Sequence, residues 1–379
     1  MMSATAKQSA RRRDPVVTVV GGGSSAQTMA ADLALRGFRI RLCDLPRFRS
    51  NIELLLETKQ IEKHGAAEAR GPIGLAQLQD VTTDITAGMR GADVVLIAVP
   101  AYAHAAIFEA VTDSLEDGQI VVTVPGNWGA WRLHRMLGER LRRKNVLIAE
   151  TDVCMHFCRA SEPWLGPGKV RVIADSGVVR IAAVPSTDTP QVLQVTRKLY
   201  PQLIPASSVL ETSIGNSNTI VHGPLVLMNA GWIEHTRGNF MIYRDGVTPS
   251  VGRVIDAVRR ERDEIARAMG LSLTPRSPFY EETRRGVWIH DPAETGPPHL
   301  HHRYVSEDVP YGLVPLGSLG DLLDVPTPMC DALIDLFSIA NGVDYRNEGL
   351  TLDKLGFGGL GIEAIRELVG GGTVAPSTS

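Results

Sequence analysis

The chain alternates short, nearly unbroken apolar runs with stretches whose apolar positions recur at helical spacing, a pattern that predicts an α/β Rossmann-type N-terminal domain. Residues 16–20 (Val-Val-Thr-Val-Val) form the first run, and Gly21, Gly22, Gly23, Ser24, Ser25 and Ala26 lead from it into an apolar-spaced helix that stops at Gly37. Residues 39–43, 94–99, 120–124 and 146–149 read as further strands, and residues 94–99 have the character of a parallel strand buried on both faces. A helix is expected around residues 51–63. Residues 170–173 and 178–184 read as a hairpin-like pair that closes the domain, with the chain crossing over near 200–208. The texture then changes. Residues 220–233 are apolar nearly all round, as in a helix at the centre of a domain. Thr248-Pro249 opens an amphipathic helix with Val251, Val254, Ile255, Val258, Ile265 and Met269 on one stripe and Gly270 as its stop. Thr327-Pro328 opens another, ending at Asn341-Gly342. The expected organisation is a dinucleotide-binding domain over residues 15–207 and a mainly α-helical substrate and catalytic domain over 208–369. Residues 1–14 and 370–379 are expected to be disordered tails.

At 379 residues the chain exceeds what one hydrophobic core usually serves, consistent with two domains. The 39 basic and 42 acidic residues leave a net charge of -3, which gives no field that gathers nucleic acid or an anionic membrane and points to small-molecule partners. Four cysteines without regular pairing, and no apolar run near membrane-spanning length, point to the cytoplasm. Arg11, Arg12 and Arg13 precede an apolar run as in an export signal, but that run is the first strand and no cleavage site follows it. A homodimer stays open, since an apolar helix serves an interface as well as a core.

The glycine-rich turn carries the first chemistry. Gly21 permits a sharp turn, Gly23 lets backbone N–H groups approach a pyrophosphate, and Ala26 is small enough for the helix to lie close on the strand. Ser24 and Ser25 add hydroxyls at the same helix N-terminus. The second strand ends in Asp44, at the offset of the acid that binds an adenosine ribose, which favours NAD(H). Arg47 and Arg49 follow closely, so NADP(H) stays open. In an open α/β sheet the carboxyl ends of the strands line the ligand crevice, making Pro100, Gly126 and Asn127 candidates to touch the nicotinamide half.

Hydride transfer to a carbonyl or imine needs a group that moves the accompanying proton and a cation that holds an acidic substrate. Between Gln202 and Asp353 there is no lysine, which weighs against dehydrogenases whose second domain supplies a catalytic lysine. His222 lies at the mouth of the apolar helix, between Asn216-Ser217-Asn218 and Gly223-Pro224. Arg303 and Asp308 sit in a charged segment that runs into an apolar one, and an Arg fork with an imidazole oriented by a carboxylate would serve both needs. Asp331 competes with Asp308, but it lies in the first turn of a helix, where the dipole alone explains a carboxylate. His299, His301, His302 and the pair Cys154 and Cys158 with His156 complete no structural-zinc pattern, and no metal is expected.

Together these segments resemble the octopine/opine dehydrogenase family over nearly the whole chain between the tails. The resemblance is carried by the Gly21 fingerprint, Glu150-Thr151 leading to Cys158-Arg159, Leu210-Glu211-Thr212-Ser213 with Asn216-Ser217-Asn218 and His222, residues 243–250, and residues 303–308 with Pro310-Tyr311-Gly312-Leu313. It implies NAD(P)H-dependent reductive condensation of an amino acid with an α-keto acid such as pyruvate. It also implies that His222 and Asp308 form the catalytic dyad and that Arg303 binds the keto-acid carboxylate. Asn218 and Cys158 join Arg303 as substrate-side candidates, while Arg159, Trp128 and Trp232 are further candidates to border the amino-acid pocket. Two departures stand out: Ser24-Ser25-Ala26 replaces a glycine- and Asn-bearing fingerprint, and Gly223 separates His222 from Pro224. A keto- or hydroxy-acid reductase without amine condensation, and a non-catalytic NAD(P)-binding sensor, are the competing readings.

Overall fold

The computed structural model describes residues 14–65, 71–138, 143–160, 165–275, 277–285 and 294–372. The expected N-terminal tail therefore lies outside the described residues except for Asp14. At the other end, the helix Ile362–Gly370 runs into the expected tail and closes on Gly371 at φ 103°, and only residues 373–379 lie outside.

Eight strands build the main sheet. These are β1 (Val16–Val20), β2 (Arg39–Cys43), β5 (Asp80–Thr82), β6 (Val94–Ile97), β7 (Ile120–Thr123), β8 (Leu147–Thr151), β11 (Val179–Val184) and β12 (Leu203–Pro205), in the spatial order β12-β11-β8-β7-β6-β1-β2-β5. All pair in parallel except β11 with β8. The order reverses between β1 and β6, and a ligand crevice opens outside strand ends at such a switch. The β-branched runs of β1, β6 and β7 are buried at every position because helices cover both faces.

A second sheet, which the apolar pattern did not reveal, stands beside the first. It comprises β3 (Gln60–Gly65), β4 (Gly74–Gln77), β9 (His156–Ala160) and β10 (Lys169–Asp175), in the order β4-β3-β10-β9. Two expectations are corrected by it. The helix expected over 51–63 is confined to Glu53–Thr58, where Lys59 turns left-handed at φ 53° and the chain enters β3. Residues 170–173 and 178–184 form no hairpin: β10 pairs with β3 and β9, while β11 pairs with β8 and β12 in the other sheet.

Helix α1 (Ser24–Leu35) packs against strands of both sheets. It brings Asp32 to Lys63 of β3 at 2.5 Å, an ion pair in which the lysine is almost wholly buried, and to 3.8 Å from His156 of β9. Burying a lysine is tolerable only with such a partner, so this contact specifies how the second sheet seats on the dinucleotide helix.

From Val209 onward the described chain is helical. Helices α2 (Gly129–Leu137) and α3 (Val209–Ile214) meet at the seam between sheet and helices, followed by α4 (Ser217–Met228), α5 (Pro249–Ala268), α6 (Arg303–Ser306), α7 (Val314–Leu323) and α8 (Pro328–Asn341). The apolar stretch 220–233 is two helices rather than one. The chain breaks at Asn229, whose amide bonds the Leu225 and Gly246 carbonyls at 2.8 and 3.2 Å, and continues as the helix Ala230–Thr236. No helix among the described residues is long and apolar enough to cross a membrane.

Candidate active site

A cleft of about 970 Å³ runs from the β1–α1 turn, past the ends of β6 and β7, to the helices. Its first wall is backbone. Gly21 has φ +124°, and a Cβ there would stand 2.6 Å from the Ala98 carbonyl oxygen, so only glycine makes this turn. A Cβ on Gly23 would meet nothing within 4 Å: that position faces open cleft. No side chain caps the N-terminus of α1, which leaves its first N–H groups for an anion. Ser24 and Ser25 line this wall, and Ser24 Oγ accepts from the Ala160 N–H at 3.0 Å, tying the turn to β9. Ala26 is buried where α1 meets the sheet.

Asp44 lies at the end of β2 against this turn, buried, with Oδ1 accepting the Leu45 N–H at 2.7 Å. Arg47 stacks over the Phe48 ring at 4.8 Å, and Arg49 pairs with Glu53 at 3.4 Å. An unclashed glycine turn, an uncapped helix and an acid at the second strand end together fit a nicotinamide dinucleotide.

Of the three nicotinamide-side candidates, Pro100 lines the cleft and Gly126 and Asn127 do not. Gly126 is required by packing, since its Cβ would sit 2.3 Å from Glu150 Cδ. Glu150 is wholly buried and accepts the Ala130 N–H at 2.9 Å, the Thr212 hydroxyl at 2.8 Å and the Ser213 hydroxyl at 2.5 Å. Asn127 is buried too and bridges the two halves, donating to Glu307 Oε1 at 3.3 Å and accepting from Asn216.

The second wall is made of side chains. His222, on α4, places Nδ1 2.7 Å from Asp308 Oδ2. Its ring stacks on Tyr304 with centroids 3.8 Å apart and an angle of 17°. Asp308 lies two residues past α6, at the N-cap of a π-helical turn, Val309–Leu313, that continues into α7. Such turns shift the register of a helix, and here Gly312 lets the turn close on α4: a Cβ would meet Thr219 Oγ1 at 2.4 Å. Gly223, the local departure after His222, faces Leu313 at the same contact.

Burial pushes the His222 imidazole down to about 3, with Arg303 adding to the effect, and pushes the Asp308 carboxyl up against the opposing pull of Arg303. The imidazole thus has Nδ1 held against Asp308 and Nε2 unbonded among the described residues. Asp331 takes no part; it pairs with Arg346 at 2.9 Å.

Arg303 lines the cleft with 42% of its side-chain surface open, lies 3.6 Å from Glu307 and stacks on Tyr304 at 5.2 Å. Asn218 lines the same wall, its N–H bonded to Asn216 Oδ1 at 2.9 Å. Cys158 and Arg159 of β9 line the cleft, so the sheet missed in the sequence supplies part of the site. Burial pushes the Cys158 thiol up, and burial pushes that of Cys154, 3.5 Å from Ser25 Oγ, up to about 11. Trp128 is buried beneath the site, and Trp232 stacks on Phe240 away from it. Tyr304, Glu307 and Glu294 were missed as site residues. Tyr304 and Glu307 fall inside the recognised segment 303–308, but which of its side chains face the cleft depends on the phase of the short helix Arg303–Ser306. Among the described residues no three His, Cys, Asp or Glu side chains cluster as metal ligands.

A crevice at the switch of a Rossmann-type sheet, with a backbone turn that fits a nucleotide on one side and His222, Asp308 and Arg303 on the other, has the form of a nicotinamide-nucleotide-dependent oxidoreductase. Comparison with known proteins narrows the class. A family model described as NAD/NADP octopine/nopaline dehydrogenase, alpha-helical domain, matches residues 205–341. The chain is 35% identical over 364 residues to the opine dehydrogenase of Arthrobacter sp. (strain 1C), covering 93% of this chain and 98% of that protein. A solved structure of octopine dehydrogenase with NADH and L-arginine superposes with a TM-score of 0.71 at 19% identity, over 95% of this chain and 99% of that one. Yersinopine dehydrogenase with NADP+ bound follows at a TM-score of 0.62 and 15% identity, over 94% and 98%. The chain belongs to the opine dehydrogenase family, NAD(P)-dependent oxidoreductases acting on CH–NH bonds.

Proposed function

We propose that the protein condenses an amino acid with an α-keto acid and reduces the resulting imine to a secondary amine, consuming NADH in preference to NADPH. The observation that carries this is His222, held by Asp308, in the cleft that also presents Arg303 and the Gly23 turn. Arg303 pairs with the keto-acid carboxylate through its open fork. Nε2 of His222 takes a proton from the donor's ammonium, freeing the amine to attack the keto carbon, and Asp308 stabilises the imidazolium. The same imidazole returns the proton to the departing hydroxyl, so that one water leaves as the imine forms. The bound reduced nicotinamide supplies the hydride that the imine carbon accepts. Asn218 and Cys158 border the reacting groups, while Gly23, Ser24, Ser25 and Pro100 line the dinucleotide's end of the cleft; Gly21 makes the turn, Ala26 seats the helix on the strand and Asp44 stands at the second strand end for the ribose. Residues 15–207 serve as the cofactor domain and residues 208–369 as the substrate and catalytic domain. The preference for NADH rests on Asp44 at the end of the second strand. The near-neutral charge and unpaired cysteines support work on small molecules in the cytoplasm.

The test is oxidation of NADH and NADPH with pyruvate and a panel of amino acids, each with amine-omitted controls. Amine-dependent oxidation is expected. Oxidation by the keto acid alone moves the protein to the hydroxy-acid reductases, and silence throughout favours a sensor.

A further inference from the structure

Arg159 and Glu294 form an ion pair in the cleft wall, and the mechanism above uses neither. Arg159 projects from β9, and one of its guanidinium nitrogens also donates to the Cys158 carbonyl at 2.9 Å. Glu294 is anchored by backbone, its carbonyl accepting the Ile242 N–H at 3.0 Å beside the bridge between Met241 and Thr295. The carboxylate also accepts a hydrogen bond from the Tyr304 hydroxyl, and the Tyr304 ring is the one stacked on His222. The pair therefore ends one aromatic ring away from the imidazole.

We infer that Arg159 and Glu294 are the receptor for the amino donor's own zwitterion, Arg159 taking its α-carboxylate and Glu294 its ammonium beside His222. This rests on the opine reading of the site. The two charges match those of an α-amino acid one for one, so a ligand that inserts between them replaces each lost contact by an equivalent one. Neither the empty nor the filled state then strands a buried charge. Arg171 stands directly opposite Arg159 in the β9–β10 register and also lines the cleft. The product supplies a second match: reductive condensation yields two carboxylates about one secondary amine. Arg303 and Arg159 are two guanidiniums that both bear electrostatically on the one imidazole.

The test compares wild type with Arg159→Gln and Glu294→Gln, using the best amino acid of the panel and the amine obtained by removing its carboxylate, with pyruvate and NADH. In Arg159→Gln the KM for the amino acid rises roughly 30-fold or more, the scale of losing one partner of a desolvated charge pair. The preference for the amino acid over its decarboxylated amine falls by a similar factor, whereas the KM for pyruvate and the NADH dissociation constant stay unchanged. Glu294→Gln raises the KM for both amines. An unchanged amino-acid KM in Arg159→Gln overturns the inference, as does a pyruvate KM that climbs in step with it. Should Arg159→Gln no longer bind NADH, the same comparison is made in Arg159→Lys, which keeps the charge and loses the fork. Wild type inactive with every amine sinks the opine reading and the inference together; an active wild type with unaffected variants sinks the inference alone.

Discussion

The two walls of the cleft are built from different materials. The cofactor side is shaped by backbone, by the left-handed Gly21, the open Gly23 and an uncapped helix, and few of its side chains reach in. The helical side is shaped by side chains whose positions are fixed by packing: Gly312 against Thr219, Tyr304 on His222, His222 on Asp308. A backbone wall suits a ligand common to many enzymes, because it recognises phosphate through groups that every residue carries. A side-chain wall suits the reacting centre, where a particular proton has to move.

If the division holds, each wall is broken separately. His222→Ala should lower turnover by roughly 10²–10⁴-fold, the contribution of a positioned acid–base group, and leave the NADH dissociation constant unchanged. Near-normal turnover would remove His222 from the mechanism. Gly23→Val should do the reverse. Its side chain enters space that is empty in the fold, so the melting temperature stays put while NADH binding weakens by roughly 10–100-fold, about 1.4 kcal/mol per decade. A Gly23→Val protein that binds NADH normally would place the pyrophosphate elsewhere. Smaller still, Gly312→Ala forces a Cβ to within 2.4 Å of Thr219 Oγ1, which should cost about 1–3 kcal/mol of stability. Because that contact sets the dyad, turnover should fall with NADH affinity intact; loss of stability alone would separate the π turn from catalysis.

The same contrast explains what was legible in the sequence. A backbone wall advertises itself because the conformation it needs admits only glycine, and Gly21, Gly23 and Asp44 were readable from spacing. Gly126 was named from its place at a strand end, whereas the crowding that demands a glycine there comes from the Glu150 side chain. The main sheet was legible wherever strands are buried on both faces, but the second sheet was not. In β3, Gln-Ile-Glu-Lys-His-Gly, the buried position after Ile61 is Lys63, neutralised by Asp32 from a distant helix, so the apolar alternation never shows. The two runs at 170–173 and 178–184 look like one hairpin because neighbours in sequence usually pair, yet they belong to different sheets. For the helical wall, residue types and a family resemblance picked out His222, Arg303 and Asp308, whereas the places of Tyr304 and Glu307 depend on a helical phase that no apolar periodicity records.

Glu150 gives the most diagnostic effect, because it sits on the seam where the two walls meet, bonded to α2 on one side and α3 on the other. Burial pushes its carboxyl up to about 7 from an ordinary 4.5, against the hydrogen bonds from Ser213, Thr212 and Ala130. The sign follows from proton linkage. Below pH 4.5 both folded and unfolded chains hold the proton, and the full stability is present. Between there and pH 7 the unfolded chain ionises while the folded one keeps its proton, so stability falls as pH rises, by about 3 kcal/mol in all. Glu150→Gln removes the titration and keeps the neutral acid's pattern, its carbonyl oxygen accepting from Ala130 while its NH2 donates to the Thr212 and Ser213 hydroxyls, so at acidic pH the variant should melt close to wild type. Towards pH 8 wild type loses ground and the variant should melt above it, as read by thermal unfolding of the two proteins across that range. Parallel melting curves would mean that the seam carries an ionised carboxylate, and the two walls would then be joined by charge rather than by a neutral hydrogen-bonded acid.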